Sequence, residues 1–282
     1  MNSSRGRGVA DADRDVRLFL VRVAGALGDL LGDTLNGLYV TGSLATGAYH
    51  RDRSDIDLIA VAGRALSRDE RENVARLWLR LSDERPMRGD LDVDVVTEHA
   101  ARNFEHPFPL EVHYDRANHE SIRRRQIDYA SSAFSADLPA RIVEVRERGV
   151  TLVGAAPQSV FAPVPWHAYI TALDLRLRQA RASIEQRRAA GVLEACRVLY
   201  GTSNVPVRAI NKDEAAVWAL GVTPGRFHSA LNDALQLYRG SKDADDVVFD
   251  LESALEFAGY VRERSNGAFT RANDTGEDDA AE

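Results

Sequence analysis

A Gly-Ser turn between two apolar runs, followed by an Asp-x-Asp pair, is the sequence feature that most constrains how this chain folds. The run 38–40 reads as a short buried strand, and the turn at 42–43 lets backbone N–H groups approach a phosphate closely. The run 56–61 reads as a second strand. Because side chains alternate along a strand, Asp55 and Asp57 are predicted to share one face.

Two adjacent carboxylates repel each other unless a cation lies between them. Mg²⁺ takes oxygen ligands and often shares one or two carboxylates with substrate phosphates. An isolated Asp-x-Asp pair is most simply a solvated turn. With the Gly-Ser turn upstream at this spacing, Asp55 and Asp57 are instead predicted to hold metal beside a bound phosphate.

The order Gly-Ser, spacer, Asp-x-Asp resembles the signature of the polymerase-beta-like nucleotidyltransferase superfamily. The resemblance implies that Gly42 and Ser43 hold a nucleoside triphosphate, and that Asp55 and Asp57 hold two Mg²⁺ ions. It also implies a third carboxylate on a nearby strand, because two-metal transfer uses one ion on the leaving phosphates and another on the attacking oxygen.

The run 91–96 supplies candidates for the third carboxylate. It alternates polar and apolar residues, so Asp92 and Asp94 are predicted to share one strand face while apolar side chains pack on the other. The alternative is an edge strand with a solvated acidic face. The alternation does not choose between the two aspartates.

Within the superfamily, residues 14–262 resemble the aminoglycoside adenylyltransferases that act on streptomycin and spectinomycin. In that group a glutamate at the position of Asp92 removes the proton from the antibiotic hydroxyl. Aspartate is one methylene shorter, so either the metal lies closer to the strand or Asp94 takes part. The segments of the second half that carry the likeness are 151–154, 161–165, 193–200 and 212–219.

This resemblance implies transfer of AMP from ATP to a hydroxyl group of an aminoglycoside-like acceptor. It implies nucleotide contacts from Arg197 and Lys212, and it adds Ser54 and Tyr238 to the nucleotide-binding candidates. Lys212 follows an Asn-x-x-Glu capping box and opens a helix, where the helix dipole opposes its charge. The alternatives are a solvated lysine and, for Arg197, a structural ion pair.

The acceptor pocket is less defined by the sequence. Glu111 and His113 share one face of a strand predicted over 107–114, where they either line the pocket or form a structural pair. The streptomycin and spectinomycin enzymes have a tryptophan and an acid at positions that hold Ala117 and Arg188 here. Arg188 would repel the guanidinium groups of streptomycin, so the acceptor is a different aminoglycoside, another hydroxylated metabolite, or spectinomycin bound in a changed way.

Two further functions are compatible with the sequence. The chain is either an adenylyltransferase that modifies a protein, as antitoxins of this fold do, or a nucleotide-binding module without catalysis. The long helical half is unusual for the first alternative. Intact Ser43, Asp55 and Asp57 argue against the second.

Composition is consistent with such an enzyme. The 282 residues are 44% hydrophobic and 28% charged, which predicts a soluble protein of two ordinary domains. No apolar run approaches the ~20 residues that span a membrane, and the N-terminus lacks a secretory signal, so a cytoplasmic location is predicted. The net charge of −7 disfavours nucleic acid as a partner and suits a cationic small substrate.

The predicted fold class is α+β. A nucleotidyltransferase domain with a mixed sheet and helices is expected over 1–155, and a C-terminal α-helical bundle over 156–265. The stretch 154–165 is rich in proline and glycine and marks the boundary. Residues 266–282 are rich in Gly, Asn, Asp and Glu and are predicted to be disordered.

Overall fold

The chain divides into two compact units. The sheet unit comprises Arg7–Ser135 and Glu144–Pro163, and the helical unit comprises Ala136–Val143 with the residues from Val164 onward. The predicted domain boundary at 155/156 falls inside the second segment of the sheet unit. The computed structural model describes residues 7–105, 107–131, 133–204, 206–240 and 249–279.

The sheet unit alternates strands with helices of very different lengths. In chain order its elements are α1 (Arg14–Leu31), β1 (Leu35–Thr41), α2 (Gly42–Ala45), β2 (Ile56–Ala62), α3 (Arg68–Asp83), β3 (Leu91–Thr97), α4 (Glu98–Arg102), β4 (Phe108–Leu110), β5 (Val112–Tyr114), α5 (His119–Arg123), β6 (Ala133–Ser135), α6 (Leu138–Arg148, whose first residues belong to the helical unit), β7 (Val150–Gly154) and α7 (Pro157–Val160).

Five of these strands form one mixed sheet in the order β5-β3-β2-β1-β7. Strands β2 and β3 are parallel, and every other neighbouring pair in this sheet is antiparallel. A parallel pair needs a crossover connection, and α3 provides it between β2 and β3. A capping box begins this helix, because Ser67 accepts from the Glu70 N–H and Glu70 accepts from the Ser67 N–H.

One face of the five-stranded sheet forms the core of the sheet unit against α1 and α3. Because side chains alternate, the residues between these apolar positions lie on the opposite face. That second face carries the aspartates of β2 and β3 next to the buried side chains of Tyr39, Ile59, Val61 and Val96. The core residues of the first face include Leu38, Val40, Leu58, Ala60, Val93 and Val95, and those of the two helices include Val16, Phe19, Leu20, Val23, Val74, Leu77 and Trp78.

Five longer helices make up most of the helical unit, as the sequence predicts. They are α8 (Trp166–Ala182), α9 (Arg188–Ser203), α10 (Lys212–Val222), α11 (His228–Arg239) and α12 (Leu251–Asp279). Their apolar faces meet in one core, which also takes in Ala140 and Val143 from α6. The mixed sheet and this bundle together confirm the α+β prediction. No helix of the described ranges is long and apolar enough to cross a membrane.

The C-terminal stretch differs from its prediction. Residues 266–282 are expected to be disordered, whereas α12 continues to Asp279, and residues 280–282 lie outside the described ranges. Ala268, Phe269 and Ala272 are buried in the core of the helical unit. These few apolar residues lie at helical spacing and continue the buried stripe of α12, so they order the segment although its average composition is polar.

A partly buried carboxylate with three cations around it lies on α9. The Glu194 carboxylate is 3.3 Å from Arg197 Nη1, 3.7 Å from Lys212 Nζ and 3.9 Å from Arg176 Nη1. Burial by itself raises the pKa of Glu194, but the positive charges of Arg197, Lys212 and Arg176 lower it to about 2. Glu194 is therefore an anion at neutral pH that offsets repulsion among the three cations.

Replacing Phe269 by alanine tests whether the C-terminal stretch is part of the folded unit. The Phe269 side chain is 4% exposed, so Phe269→Ala is expected to lower the free energy of unfolding by about 3 kcal/mol. Urea denaturation measures this change. The neighbouring exposed Thr270→Ala serves as the control. Equal stabilities for the two variants would show that the stretch does not pack.

Replacing Glu194 by glutamine tests the charge cluster. Glu194→Gln leaves the three cations without their shared anion and is expected to lower the free energy of unfolding by roughly 3 kcal/mol at pH 7. Because the folded-state pKa is lowered, this contribution is complete above the ordinary value of 4.5 and is lost as the pH falls towards about 2. Denaturation of both proteins across that pH range measures it.

The exposed Glu256→Gln is the control for this series. A difference between wild type and Glu194→Gln that stays constant from pH 7 to pH 2 would contradict the account, since a neutralised Glu194 should behave like glutamine.

Candidate active site

The Gly-Ser turn packs directly against one of the predicted metal ligands. β1 ends at Thr41, and Gly42 follows with a φ of +64°, a conformation that favours glycine. A Cβ at Gly42 would lie 2.0 Å from Asp57 Oδ2, so no side chain fits there. The turn that begins with Gly42 and Ser43 is therefore held beside the Asp57 carboxylate, as the motif predicts.

Asp57 and Asp92 are neighbours across the parallel pair β2–β3. They are register partners, so their side chains lie on the same face of adjacent strands, about 4.8 Å apart in the strand-pairing direction. This face is opposite the apolar core, and both aspartates are partly exposed. The structure thus brings together two of the three carboxylates that the sequence predicts.

Asp55 lies just before β2, which begins at Ile56. Its side chain is exposed, and its Oδ1 accepts a 2.7 Å hydrogen bond from the backbone N–H of Asp90. The Ile56 N–H in turn donates to the Asp90 carbonyl. These bonds join the starts of β2 and β3, so Asp55 helps to fix the register that aligns Asp57 with Asp92.

Asp94 and His113 form a pair on the neighbouring strands β3 and β5. They are register partners, and His113 Nδ1 is 2.8 Å from Asp94 Oδ1. Asp94 is 2% exposed, whereas His113 is partly exposed. One ligand atom each from Asp92, Asp94 and His113 lies within 4.8 Å of the others. The second ring nitrogen, His113 Nε2, is 3.5 Å from Asp115 Oδ2.

The charges around His113 change its protonation. Burial lowers the pKa of His113, but hydrogen bonds to Asp115 and Asp94 outweigh burial and raise it to about 10. The same contact with His113 lowers the pKa of Asp115. In the metal-free protein His113 is therefore a cation between two carboxylates at neutral pH.

These positions bear on the choice that the sequence leaves open between the two aspartates of β3. Asp94 is buried against His113, whereas Asp92 is aligned with Asp57. The arrangement favours Asp92 as the third acid. Sequence reasoning missed the pairing of Asp94 with His113, because the pairing follows from the register of β3 and β5 and neither segment reveals it alone.

Glu111 does not join this group of acids. The predicted strand over 107–114 is divided into β4 and β5, and Glu111 lies between them. Its Oε2 accepts from Arg71 Nε at 2.9 Å and from the Leu66 N–H at 2.8 Å. Glu111 therefore has structural partners in Arg71 and Leu66 and not in His113, and its place in an acceptor pocket stays a prediction.

Ser54 closes the loop that precedes the Asp-x-Asp pair. Its Oγ accepts a 3.0 Å hydrogen bond from the His50 N–H, and the residue is buried. Gly89 passes so close that a Cβ there would lie 1.9 Å from the Ser54 carbonyl oxygen. The Ser54 hydroxyl thus has the His50 N–H as its partner, and its contact with a nucleotide stays a prediction.

The remaining nucleotide-binding candidates lie in the helical unit. Lys212 opens α10 behind the predicted capping box, which is present, and both Lys212 and Arg197 contact Glu194. Arg197 Nε also donates to the Ile210 carbonyl at 3.2 Å. Tyr238 on α11 is partly buried against the helical core. Arg197 thus forms an ion pair with Glu194, as one of its two alternatives predicts. Nucleotide contacts of Lys212, Arg197 and Tyr238 stay predictions.

The structure also shows the surroundings of the two residues at which the sequence departs from the streptomycin and spectinomycin enzymes. Ala117 lies in a turn that Asp115 and Asn118 close by mutual hydrogen bonds. Arg188 begins α9, and its Nη1 donates to the Phe249 carbonyl at 2.7 Å. The Arg188 guanidinium thus has a structural role at the start of α9.

The donor chemistry of the carboxylates suits a hard divalent cation. Asp57 and Asp92 supply oxygen ligands from adjacent strands, and Asp55 is two residues from Asp57. Mg²⁺ accepts such a set and keeps the rest of its coordination for water and substrate phosphate. The backbone of Gly42 lies directly against the Asp57 carboxylate, where backbone N–H groups and the carboxylate are close together. The residues present therefore fit Mg²⁺ with a phosphate ligand.

Two protein families match the chain, one in each half. Residues 21–148 match the family described as nucleotidyltransferase domain. Residues 159–264 match the family described as aminoglycoside adenylyltransferase, C-terminal domain.

Curated relatives resemble the chain over most of its length. An aminoglycoside (3'') (9) adenylyltransferase of Escherichia coli is 26% identical over 253 residues, which cover 88% of this chain and 94% of the relative. A spectinomycin 9-adenylyltransferase of Staphylococcus aureus strain Mu50 is 24% identical over 222 residues, which cover 76% of this chain and 82% of the relative.

A solved structure shares the fold. The spectinomycin adenyltransferase AAD(9) from Enterococcus faecialis, crystallised with ATP and spectinomycin, matches with a TM-score of 0.76 over 89% of this chain and 99% of its own. The sequence identity is 16%, so this likeness concerns the fold alone. Together the matches confirm the resemblance predicted from the signature: the chain is an enzyme with a nucleotidyltransferase domain over residues 21–148, and its residues 159–264 match the C-terminal domain of aminoglycoside adenylyltransferases.

Proposed function

We propose that this enzyme transfers AMP from ATP to a hydroxyl group of an aminoglycoside-like acceptor. The observation that carries the proposal is the alignment of Asp57 with Asp92 on the face of the sheet opposite the core. The Gly42 turn lies directly beside Asp57, where a nucleotide phosphate would meet both the backbone N–H groups and the carboxylate. The curated relatives, which carry the names of such enzymes, support the same reaction.

In this reaction the acidic residues bind metal and accept a proton. Two Mg²⁺ ions on Asp55, Asp57 and Asp92 would offset the charge that builds up on the leaving pyrophosphate and lower the pKa of the acceptor hydroxyl. Asp92 serves as the general base that receives the hydroxyl proton. Its partial exposure and its alignment with Asp57 suit this role better than the burial of Asp94 against His113.

Other residues orient the nucleotide. Ser43 and the backbone N–H groups of its turn hold the β- and γ-phosphates, and Ser54 supports the same loop through its bond to His50. Arg197 and Lys212, whose positive charges contact Glu194, are proposed to bind phosphate oxygens, and Tyr238 to contact the nucleotide. A correctly oriented hydroxyl supplies several kcal/mol towards in-line attack.

The acceptor is defined less sharply than the reaction. Ala117 and Arg188 replace the tryptophan and the acid of the streptomycin and spectinomycin enzymes, and neither replacement suits a cationic guest. A hydroxylated metabolite other than these two antibiotics is therefore the second candidate acceptor. Because the reaction consumes ATP, we propose that it takes place in the cytoplasm.

A panel of acceptors tests the proposal. The enzyme is incubated with Mg²⁺, labelled ATP and single aminoglycosides or hydroxylated metabolites, and pyrophosphate release is followed. The proposal predicts release that depends on an aminoglycoside acceptor. Release only with another metabolite would support the second candidate, and transfer of label to a protein would support the antitoxin-like alternative. Nucleotide binding without any release would support a non-catalytic module.

Replacing Asp57 by asparagine tests the metal site. Asp57→Asn removes one carboxylate charge and is expected to lower acceptor-dependent release of pyrophosphate at least about a hundredfold, because the loss of metal-ligand charge costs several kcal/mol in the transition state. Circular dichroism should show an intact fold. The exposed Asp29→Asn on α1 is the control. Undiminished turnover in Asp57→Asn would exclude the mechanism.

Replacing Gly42 by alanine tests the contact between the turn and Asp57. The new Cβ would collide with the Asp57 carboxylate, so Gly42→Ala is expected to lose transfer as severely as Asp57→Asn. Gly47→Ala is a matched control, because Gly47 also has a positive φ of +77° but has no atom within 4 Å of a new Cβ. Both variants carry backbone strain of about 1–3 kcal/mol. Equal loss of activity in the two variants would show that strain alone is responsible.

A further inference from the structure

We infer that Asp92, Asp94 and His113 form a binding site for a divalent transition metal such as Mn²⁺ or Zn²⁺, with His113 Nδ1 as a nitrogen ligand. This site shares Asp92 with the proposed magnesium set but adds two residues that set does not use. Binding at this site does not require ATP, an acceptor or turnover, so it is testable independently of the transfer reaction.

The spacing of the ligand atoms carries the inference. Ligand atoms of the three side chains lie within 4.8 Å of one another, and His113 Nδ1 is already 2.8 Å from Asp94 Oδ1. An ion with metal–ligand distances of about 2.1 Å separates its ligand atoms by about 3 Å. The strand pairing of β3 with β5 fixes the backbone of Asp94 and His113, and the three ligand atoms need to close from at most 4.8 Å to about 3 Å to hold one ion.

A second carboxylate orients the imidazole in the way that metal sites require. The ring nitrogen remote from Asp94, His113 Nε2, is 3.5 Å from Asp115 Oδ2. Metal-binding histidines generally donate their other ring N–H to a carboxylate or carbonyl, which fixes the ring and strengthens the ligand. Asp115 is itself held by the Asn118 N–H at 2.9 Å. The arrangement leaves Nδ1 facing the two aspartates of β3.

The ligand set decides which metal is preferred. Two carboxylates and one imidazole supply an O,O,N set, and imidazole suits zinc and other transition metals better than Mg²⁺. Metal binding releases a proton from Nδ1 to water, and the metal then occupies the position between Nδ1 and the Asp94 carboxylate. The two negative charges of Asp92 and Asp94 match the charge of a divalent ion. Asp94 is 2% exposed, so its carboxylate exchanges the His113 proton for the ion without further loss of hydration.

Mn²⁺ titration with electron paramagnetic resonance tests the site. Full-length protein without a histidine tag is titrated with Mn²⁺ in the absence of nucleotide, and pulsed measurements detect magnetic coupling to a directly bound ¹⁴N. The inference predicts one Mn²⁺ with imidazole coupling. His113→Gln should abolish the coupling, and Asp94→Asn should weaken binding at least about tenfold. His99→Gln removes an exposed histidine on α4 and should change neither result.

Two further variants sharpen the test. The first distinguishes a metal site from an ion pair that only stabilises the sheet, and the second separates metal binding here from the proposed transfer reaction. Asp115→Asn should weaken Mn²⁺ binding about 10- to 100-fold while the nitrogen coupling persists, an effect expected only of a residue that supports the ligand. Asp57→Asn should lose transfer but keep the nitrogen-coupled Mn²⁺, so failure of the proposed function would leave this result intact. Absence of bound Mn²⁺, or Mn²⁺ without nitrogen coupling in the wild-type protein, would overturn the inference.

Discussion

The parallel pairing of β2 with β3 is the contact on which the rest of the site depends. It aligns Asp57 with Asp92, and the bond from the Asp90 N–H to Asp55 fixes its start. A slip of one residue would turn these carboxylates towards the apolar core, where charge is costly. The core residues of α1 and α3 oppose such a slip because they bury the alternate positions of the same strands.

The same pairing explains how two kinds of acidic position arise on one strand. Towards β2, Asp92 meets another carboxylate beside a glycine turn, which suits a metal ion that also binds phosphate. Towards β5, Asp94 meets an imidazole that a further carboxylate orients. Asp92 and Asp94 are therefore only two residues apart on β3, but the neighbour of Asp92 is a carboxylate of β2 and the neighbour of Asp94 is an imidazole of β5.

Much of the sheet unit could be predicted from local sequence patterns. The turn at Gly42, the acids at 55 and 57 and the capping box at Ser67 are short-range signals with direct physical meaning, and the structure contains each of them. The pairing of Asp94 with His113 depends on strand register, which no single segment encodes. The order of the C-terminal helix depends on packing of Phe269, which average composition does not show.

A crystal structure with Mg²⁺ and a non-hydrolysable ATP analogue tests the central claim most directly. The account predicts Mg²⁺ within about 2.1 Å of carboxylate oxygens of both Asp57 and Asp92, with the triphosphate beside the Gly42 turn. A nucleotide bound elsewhere, or Mg²⁺ that contacts only one of the two aspartates, would contradict it.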